Sequence, residues 1–494
     1  MEINFRKLVR SSAVFSVLGM LPSLSRVLLM PLFLLFLSPY NYGIIGLNGT
    51  LASALPIFLT LGYNNSFMRY FFDYQRNKKI LYAYVSTIMV MTLVISVLLI
   101  VITIPLGQKI HTVAFKDPVF TYYPYGITAI VMAMIFSLNG IQLMFYRNLQ
   151  RITSYLWLAG GIFIVSTIAE SFAILVFRFD AAGIILMKVG GILLVSIISW
   201  ISLIREMGTI SFDFRFLKSS FRYSVYLIPY IFFGFIYTSY DRVMIEKYLD
   251  FNALAVFNLS MAIVMFVEMG IGAIQNAIYP SVYEMFKNDP KVHEESINKI
   301  FRFMGMVIMI IVGGLCAATP IGIDFLKPVY RTAIYLVPVL LISYLFRYLW
   351  VVYTVPLFYY KKQVKKLPLL NFIGGCITVG VNFMLLPTLG LLGAAIAAVC
   401  VRLVLYLCTY YLVIGSSDFK FDLSYVWVIF LVVSLLLTGL FASDYFFHLP
   451  PLLFKGFSFM PLLFVMMFYI RKLKLLSLKG VGELLKINTY MWRI

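Results

Sequence analysis

The sequence predicts an all-α integral membrane protein of about 14 transmembrane helices, built as two six-helix lobes around a central cavity plus two C-terminal helices. Three observations carry that reading. Of 494 residues, 62% are hydrophobic and only 12% are charged, about half the charged share of a soluble chain. Apolar runs recur at the length a bilayer requires, ~20 residues each. Lys and Arg gather in alternate short connections, as they do in multi-pass proteins. This much apolar surface excludes a soluble enzyme, a disordered chain and a nucleic-acid-binding chain.

In chain order the apolar runs span 11–37, 43–63, 80–104, 119–143, 154–177, 181–204 and 220–240, then 252–276, 299–322, 332–355, 364–388, 390–414, 424–443 and 452–470. The first is too long and too interrupted for a cleaved leader and reads as a retained helix. Connections are short, so neighbouring helices should be antiparallel, and none could hold a separate folded domain. Net charge is +20, from 40 Lys+Arg against 20 Asp+Glu. In a soluble chain this would suggest nucleic acid; here the basic residues sit in loops and report topology. With the N-terminus inside, 28 of the 40 fall on the inner side and 7 on the outer. Both termini are therefore expected in the cytoplasm.

The sixth run opens Ala181-Ala182-Gly183-Ile184 and the twelfth Leu391-Leu392-Gly393-Ala394, an offset of 210 residues or six runs. An even offset implies a parallel repeat about the membrane normal, although small-residue helix starts can also coincide by chance. The expected organisation is an N-terminal lobe over 1–204, a cytoplasmic linker over 205–219, a C-terminal lobe over 220–414, two extra helices within 424–470, and a basic cytoplasmic tail over 471–494. Cys316, Cys376, Cys400 and Cys408 lie in apolar runs and lack metal spacing. His111, His293 and His448 are scattered, so no metal site and no cofactor is expected.

Arg26, Arg347 and Arg402 fall near the middle of runs one, ten and twelve, and Lys188 a third of the way into run six. A central ionised side chain costs roughly 2.5–3.5 kcal/mol on insertion scales. Such groups should face water, a counter-ion or an anionic ligand. Glu170 and Glu268 lie at similar depth, leaving a basic excess of about two. Ion pairing or snorkelling accounts for at least two of the four cations; a cationic cavity accounts for the excess. Ser12, Ser16, Gly19, Ser23 and Arg26 share one helical face. Small residues also permit close helix packing, but an Arg in the stripe fits a tight interface poorly. Tyr223, Tyr226, Tyr230, Phe233, Tyr237 and Tyr240 form a second stripe, suited to sugar rings or to interfacial belts. Tyr344, Arg347 and Tyr348 share one side of run ten. Asp241-Arg242 is either an exposed local pair, worth little, or a gate. There is no phosphate-binding loop and no catalytic set within one loop, so the chain reads as neither an ATP-driven pump nor an enzyme.

Several segments resemble one family. Arg26-Val-Leu-Leu-Met-Pro-Leu-Phe through Leu37-Ser-Pro-Tyr-Asn-Tyr-Gly43 is similar to the start of polysaccharide (Wzx-type) flippases of the multidrug/oligosaccharidyl-lipid/polysaccharide exporter superfamily. So are Leu61-Gly62-Tyr63 with Arg69-Tyr70, Tyr240-Asp241-Arg242-Val243 with Ala255-Val-Phe-Asn258, and Gly390-Leu-Leu-Gly393-Ala-Ala-Ile-Ala397. The matches are short but follow the family's order along the whole chain. The resemblance implies alternating access in a bacterial cytoplasmic (inner) membrane. Its implied cargo is an oligosaccharide on undecaprenyl diphosphate, moved to the outer leaflet for lipopolysaccharide O-antigen, capsule or exopolysaccharide assembly. Implied partners are this lipid-linked substrate, membrane lipid, and a polysaccharide polymerase or chain-length regulator; nucleic acid is not among them. On that reading Arg26, Arg347 and Arg402 hold the diphosphate, since guanidinium forks suit phosphate. Lys188 adds field, Ser23 lines the cavity, and Tyr230, Tyr237 and Tyr344 meet the sugars. Glu170 or Glu268 couples H+ or Na+, or neutralises an Arg when the site is empty, and Asp241 and Arg242 gate. A lipid II flippase of the same superfamily stays open as an alternative. A multidrug cation exporter would favour acidic sites, and a polymerase or ligase a larger outer loop than 105–118.

Overall fold

A computed structural model describes residues 18–19, 21–288, 294–359 and 366–414. These are almost wholly helical: α1 Leu21–Phe36, α2 Pro39–Ala54, α3 Pro56–Thr60, α4 Tyr63–Tyr74, α5 Lys78–Ala114, α6 Ile127–Asn148, α7 Ile152–Leu175, α8 Ala181–Met207, α9 Phe214–Ser224, α10 Ile228–Ser239, α11 Asp241–Tyr248, α12 Phe251–Asn288, α13 Glu294–Asp324, α14 Ala333–Tyr359, α15 Leu367–Leu389 and α16 Leu391–Ile414. Ten helical segments among the described residues are long and apolar enough to cross a membrane, and Val27–Phe36 and Ile228–Ser239 are shorter apolar pieces. These twelve correspond to the first twelve apolar runs. The runs at 424–443 and 452–470 and the basic tail lie outside the described residues.

Local chemistry sets the helix ends. Ser38 accepts from the Asn41 N–H, with Pro39 opening α2. Asn77 accepts from Lys79 and Ile80 at the start of α5, and Asp180 from Gly183 at the start of α8. These are short polar caps on otherwise unpaired amides. Gly208 at φ 77° ends α8, a conformation open to glycine at little steric cost.

Two spans differ from the sequence expectation. The third does not stop at 104: α5 continues through Pro105 to Ala114 and carries the helix past the expected loop, with His111 buried in its last turn. The seventh is not one helix over 220–240. The chain breaks at Val225–Leu227, between α9 and α10, because Pro229 has no N–H to return to the Val225 carbonyl; a tight Leu227 N–H to Ser224 carbonyl bond of 2.8 Å replaces the helical pattern.

The described residues form two compact units. One is built on Val14–Leu259 and Lys366–Ala397, the other on Ser260–Lys365 and the chain from Ala398. In the first, α7 and α8 pack together, α1 lies against α7, and α10 and α11 pack on α15. In the second, α13 packs on α14. Apolar side chains such as Val101, Ile102 and Ile198 stay exposed along the spans, which is the surface lipid tails would cover.

In the first unit α2 packs against the backbone at the start of α12. A Cβ on Gly43 would sit 2.9 Å from the Phe251 carbonyl carbon, whereas one on Gly49 meets nothing within 4 Å. Backbone cannot step aside as a flexible side chain can, so Gly43→Ala should cost about 1–3 kcal/mol. Thermal unfolding in detergent should show a lowered Tm for Gly43→Ala and an unchanged or raised one for Gly49→Ala; equal midpoints would remove this packing argument.

Candidate functional site

The second unit holds a compact charged site. On α14, positions 343, 347 and 350 are spaced by four and three residues, which brings them to one face. Arg347 forks onto Glu268 of α12, with Nη2 donating to Oε1 at 2.9 Å and Nε to Oε2 at 3.3 Å. Its guanidinium carbon lies 4.6 Å from the Trp350 ring centroid. From α16, Arg402 donates to the Ser343 hydroxyl and stacks 4.0 Å from the Tyr344 ring centroid. No carboxylate among the described residues lies within ion-pair distance of Arg402. The site therefore joins two guanidiniums, one carboxylate and two aromatic faces inside membrane-length helices. The Glu268 side chain remains 40% exposed and that of Arg347 23%, so an approaching group can reach the pair.

The first unit pairs its charges differently. Lys188 donates to Glu170 Oε1 at 2.7 Å, bridging α8 to α7. The Glu170 side chain is 1% exposed and that of Lys188 26%, and Glu170 Oε2 has no hydrogen-bond partner among the described residues. Ser25 shares a 3.0 Å hydroxyl bond with Thr167, one turn from Glu170, so the segment before Arg26 runs along the same helix. The side chains of Ser23 and Arg26 lie outside the described residues. Lys188 and Glu170 thus form a local pair within this unit, while Arg347 and Arg402 belong to the other.

The tyrosine stripe does not follow a single helix. Tyr223 is on α9, Tyr226 in the turn after it, and Tyr230 and Tyr237 on α10, with Tyr240 beyond its end. The Tyr230 carbonyl accepts from Asn371 at 2.9 Å, which ties α10 to α15. Of the gate candidates, Asp241 is buried. Arg242 turns to α12, donating to Asn258 at 3.1 Å.

Sequence reasoning missed Trp350, Ser343 and Asn371, and it missed a carboxylate hub outside the spans. Glu246 on α11 is buried, and its Oε1 accepts the backbone N–H groups of Lys116 and Asp117, each at 2.9 Å. Asp117 accepts the Tyr40 hydroxyl at 2.8 Å. Burial pushes the Glu246 carboxyl above the usual carboxylate range despite the two amides.

Comparison with known proteins gives one family and one fold. The profile of a family described as polysaccharide biosynthesis protein matches residues 35–326. None of the curated proteins matches the chain. Lipid II flippase MurJ in an inward closed conformation superposes with TM-score 0.62 at 16% identity, over 92% of this chain and 99% of that one. An inward-facing multidrug resistance MATE family transporter of the MOP superfamily gives TM-score 0.59 at 15% identity, over 84% and 94%. A MOP superfamily transporter from Pyrococcus furiosus, described as having a binding pocket of reverse polarity, gives 0.52 at 13%, over 83% and 95%. These likenesses show that the chain shares the fold of these proteins.

Two outcomes follow from the pairings. Lys188→Met strands a buried carboxylate and should cost about 3–5 kcal/mol, while adding Glu170→Gln should recover most of that loss; thermal unfolding of the two variants decides it. For Glu246 the folded carboxyl titrates above its unfolded value of 4.5. Its contribution to stability is therefore greatest at acid pH and falls as pH rises from that value through the raised one. Glu246→Gln should raise Tm at neutral pH and flatten this part of the pH profile; a variant whose advantage over wild type shrinks as pH rises would contradict the assignment.

Proposed function

Because the chain belongs to the polysaccharide biosynthesis protein family, we propose that it is a flippase. It carries undecaprenyl-diphosphate-linked oligosaccharide repeat units from the inner to the outer leaflet of a bacterial cytoplasmic membrane by alternating access. The observation that supports this most is the Arg402 guanidinium, braced on Ser343 and Tyr344 of the helix whose Arg347 forks onto Glu268, with no carboxylate among the described residues within ion-pair distance of it. A surplus cation held at membrane depth suits a diphosphate, and guanidinium forks bind phosphate oxygens bidentately. Tyr344 and Trp350, which stack on the arginines, hold the two groups in orientation and offer flat faces beside the sugar path. In the empty state Glu268 neutralises Arg347; an arriving diphosphate competes for the same fork and releases the carboxylate, which can then take a proton or a sodium ion.

A lipid II flippase is the second reading. It is favoured by a superposition that spans nearly all of both chains, and its cargo carries the same diphosphate. A multidrug cation exporter fits less well, since a surplus guanidinium repels a cation. Glycan assembly in the outer leaflet would place a polymerase or chain-length regulator nearby as partner.

Mass spectrometry of polyprenyl-linked glycans in cells with and without the gene tests the proposal. Accumulation of one complete diphosphate-linked repeat unit on deletion, with loss of surface polysaccharide, is the expected result; accumulation of lipid II would select the second reading, and an unchanged pool would reject both. On complementation, Arg402→Gln and Arg347→Gln should each lower export at least about tenfold, the loss of one charge-assisted phosphate contact, at unchanged protein level. Arg26→Ala is expected to behave likewise.

A further inference from the structure

The helix α9 is too short to cross a bilayer. Its 11 residues make about 16 Å of helix against ~30 Å of hydrocarbon. One side of it is firmly docked. Leu217, Ser220 and Ser224 are buried. Ser224 donates to the Gly62 carbonyl at 2.9 Å, and Ser220 shares a 3.2 Å bond with the Tyr84 hydroxyl. Phe216 packs on Tyr74 and Tyr84 with centroids 5.3 and 5.7 Å away. The preceding strand of chain is fixed as well, with the Ser211 and Asp213 amides donating to Ser86 and Thr87 on α5, each at 3.1 Å. The roll of α9 about its axis is therefore set, and so is the composition of its outward face.

That outward face is of two kinds at once. Phe214, Phe221 and Val225 are exposed in one stripe, and Ile210 and Phe212 precede them, also exposed. Beside this stripe run Arg215, Lys218 and Arg222, spaced by three and four residues and all exposed. Arg215 shares Asp213, but no carboxylate among the described residues pairs with Lys218 or Arg222. The pattern continues onto the neighbouring segment, where Phe72, Arg76, Lys78, Lys79 and Ile80 are exposed. Water suits the cations and not the phenyl rings; hydrocarbon suits the rings and not the cations. Both are accommodated within a few ångströms only at a headgroup boundary that carries negative charge. The chain's own termini are poor occupants, because 1–10 holds Arg6, Lys7 and Arg10 and 471–494 holds six basic residues against Glu483.

We propose that the outward face of Phe214–Ser224 is a lipid-binding surface that seats on an anionic phospholipid leaflet, its phenyl rings entering the acyl boundary and its three cations engaging phosphate headgroups. Lipid bound there is bulk membrane phospholipid, distinct from any transported molecule, and the site lies in a different compact unit from Arg347 and Arg402. Each Lys or Arg near such a surface contributes about fivefold in affinity, so Lys218 and Arg222 together supply about 25-fold.

The test uses the full chain in vesicles of phosphatidylcholine, alone or mixed with phosphatidylglycerol, with p-benzoylphenylalanine in place of Phe214 or Phe221. Photolysis should give phospholipid adducts in both vesicles. In the mixture, phosphatidylglycerol should exceed its share of the bilayer several-fold among the adducts. Lys218→Gln with Arg222→Gln should lower that share several-fold towards the bulk value while adducts persist and Tm is unchanged. Adducts to peptides of this chain or of a second copy, absence of lipid adducts, or a wild-type share equal to bulk would each overturn the proposal. None of these readouts depends on export, so the flippase reading stands or falls separately.

Discussion

In hydrocarbon a backbone amide or carbonyl finds no water, so each must be satisfied within its own segment. That constraint makes the described chain almost wholly helical and places its exceptions. Where the pattern breaks, a specific group takes over: the Asn77 side chain at the start of α5, the Asp180 carboxylate at the start of α8, and the Ser224 carbonyl where Pro229 interrupts the path from α9 to α10. Charges obey the same rule with larger penalties. Glu170 is buried with Lys188 on it, and Glu268 meets Arg347 through a two-bond fork. An unpaired ion at this depth costs several kcal/mol, and each carboxylate has a cation from a neighbouring helix in reach.

Much of the fold was legible because its signals are local. Apolar length marks spans, and Asp, Asn, Ser and Gly at their ends mark boundaries. The starts of α8 at Ala181 and α16 at Leu391 fall where the small-residue motifs place them. Legibility failed where a local signal had two outcomes. Pro105 is carried inside α5, while Pro229 breaks the path into α10, and the residue type is the same in both. The tyrosine spacing assumed one continuous helix, so the break at Val225–Leu227 dissolved the stripe.

The site was legible in its ingredients and not in its pairings. Four intramembrane cations and two carboxylates could be named from depth alone. Which cation meets which acid depends on helices that are distant in sequence: Arg347 and Glu268 are 79 residues apart. Trp350 and Ser343 gave no signal of their own, since an apolar run with an aromatic or a hydroxyl residue is ordinary. Glu246 was invisible for another reason: its partners are backbone amides, and any residue type supplies those.

The fold by itself does not choose a cargo, because solved structures of this architecture include a lipid II flippase and a multidrug resistance transporter. On the proposed reading, charge sign chooses. A carboxylate-rich site attracts a lipophilic cation, and a guanidinium-rich one attracts a diphosphate. Here the balance at Glu268 tips to the basic side by one charge, and Arg402 carries it while braced by a hydroxyl and a ring. A braced cation has little rotamer freedom left to lose when phosphate arrives, so more of the contact energy appears as affinity. On the proposed reading the neighbouring fork works oppositely: Arg347, paired with Glu268, becomes available when an arriving anion displaces the carboxylate. One cation that is always available and one that becomes available on binding make a site that admits an anion readily and keeps its own charge small when empty. On the proposed flippase reading, that combination in a low-dielectric interior limits the cost of returning without cargo, the half of an alternating-access cycle for which the substrate supplies no compensating charge.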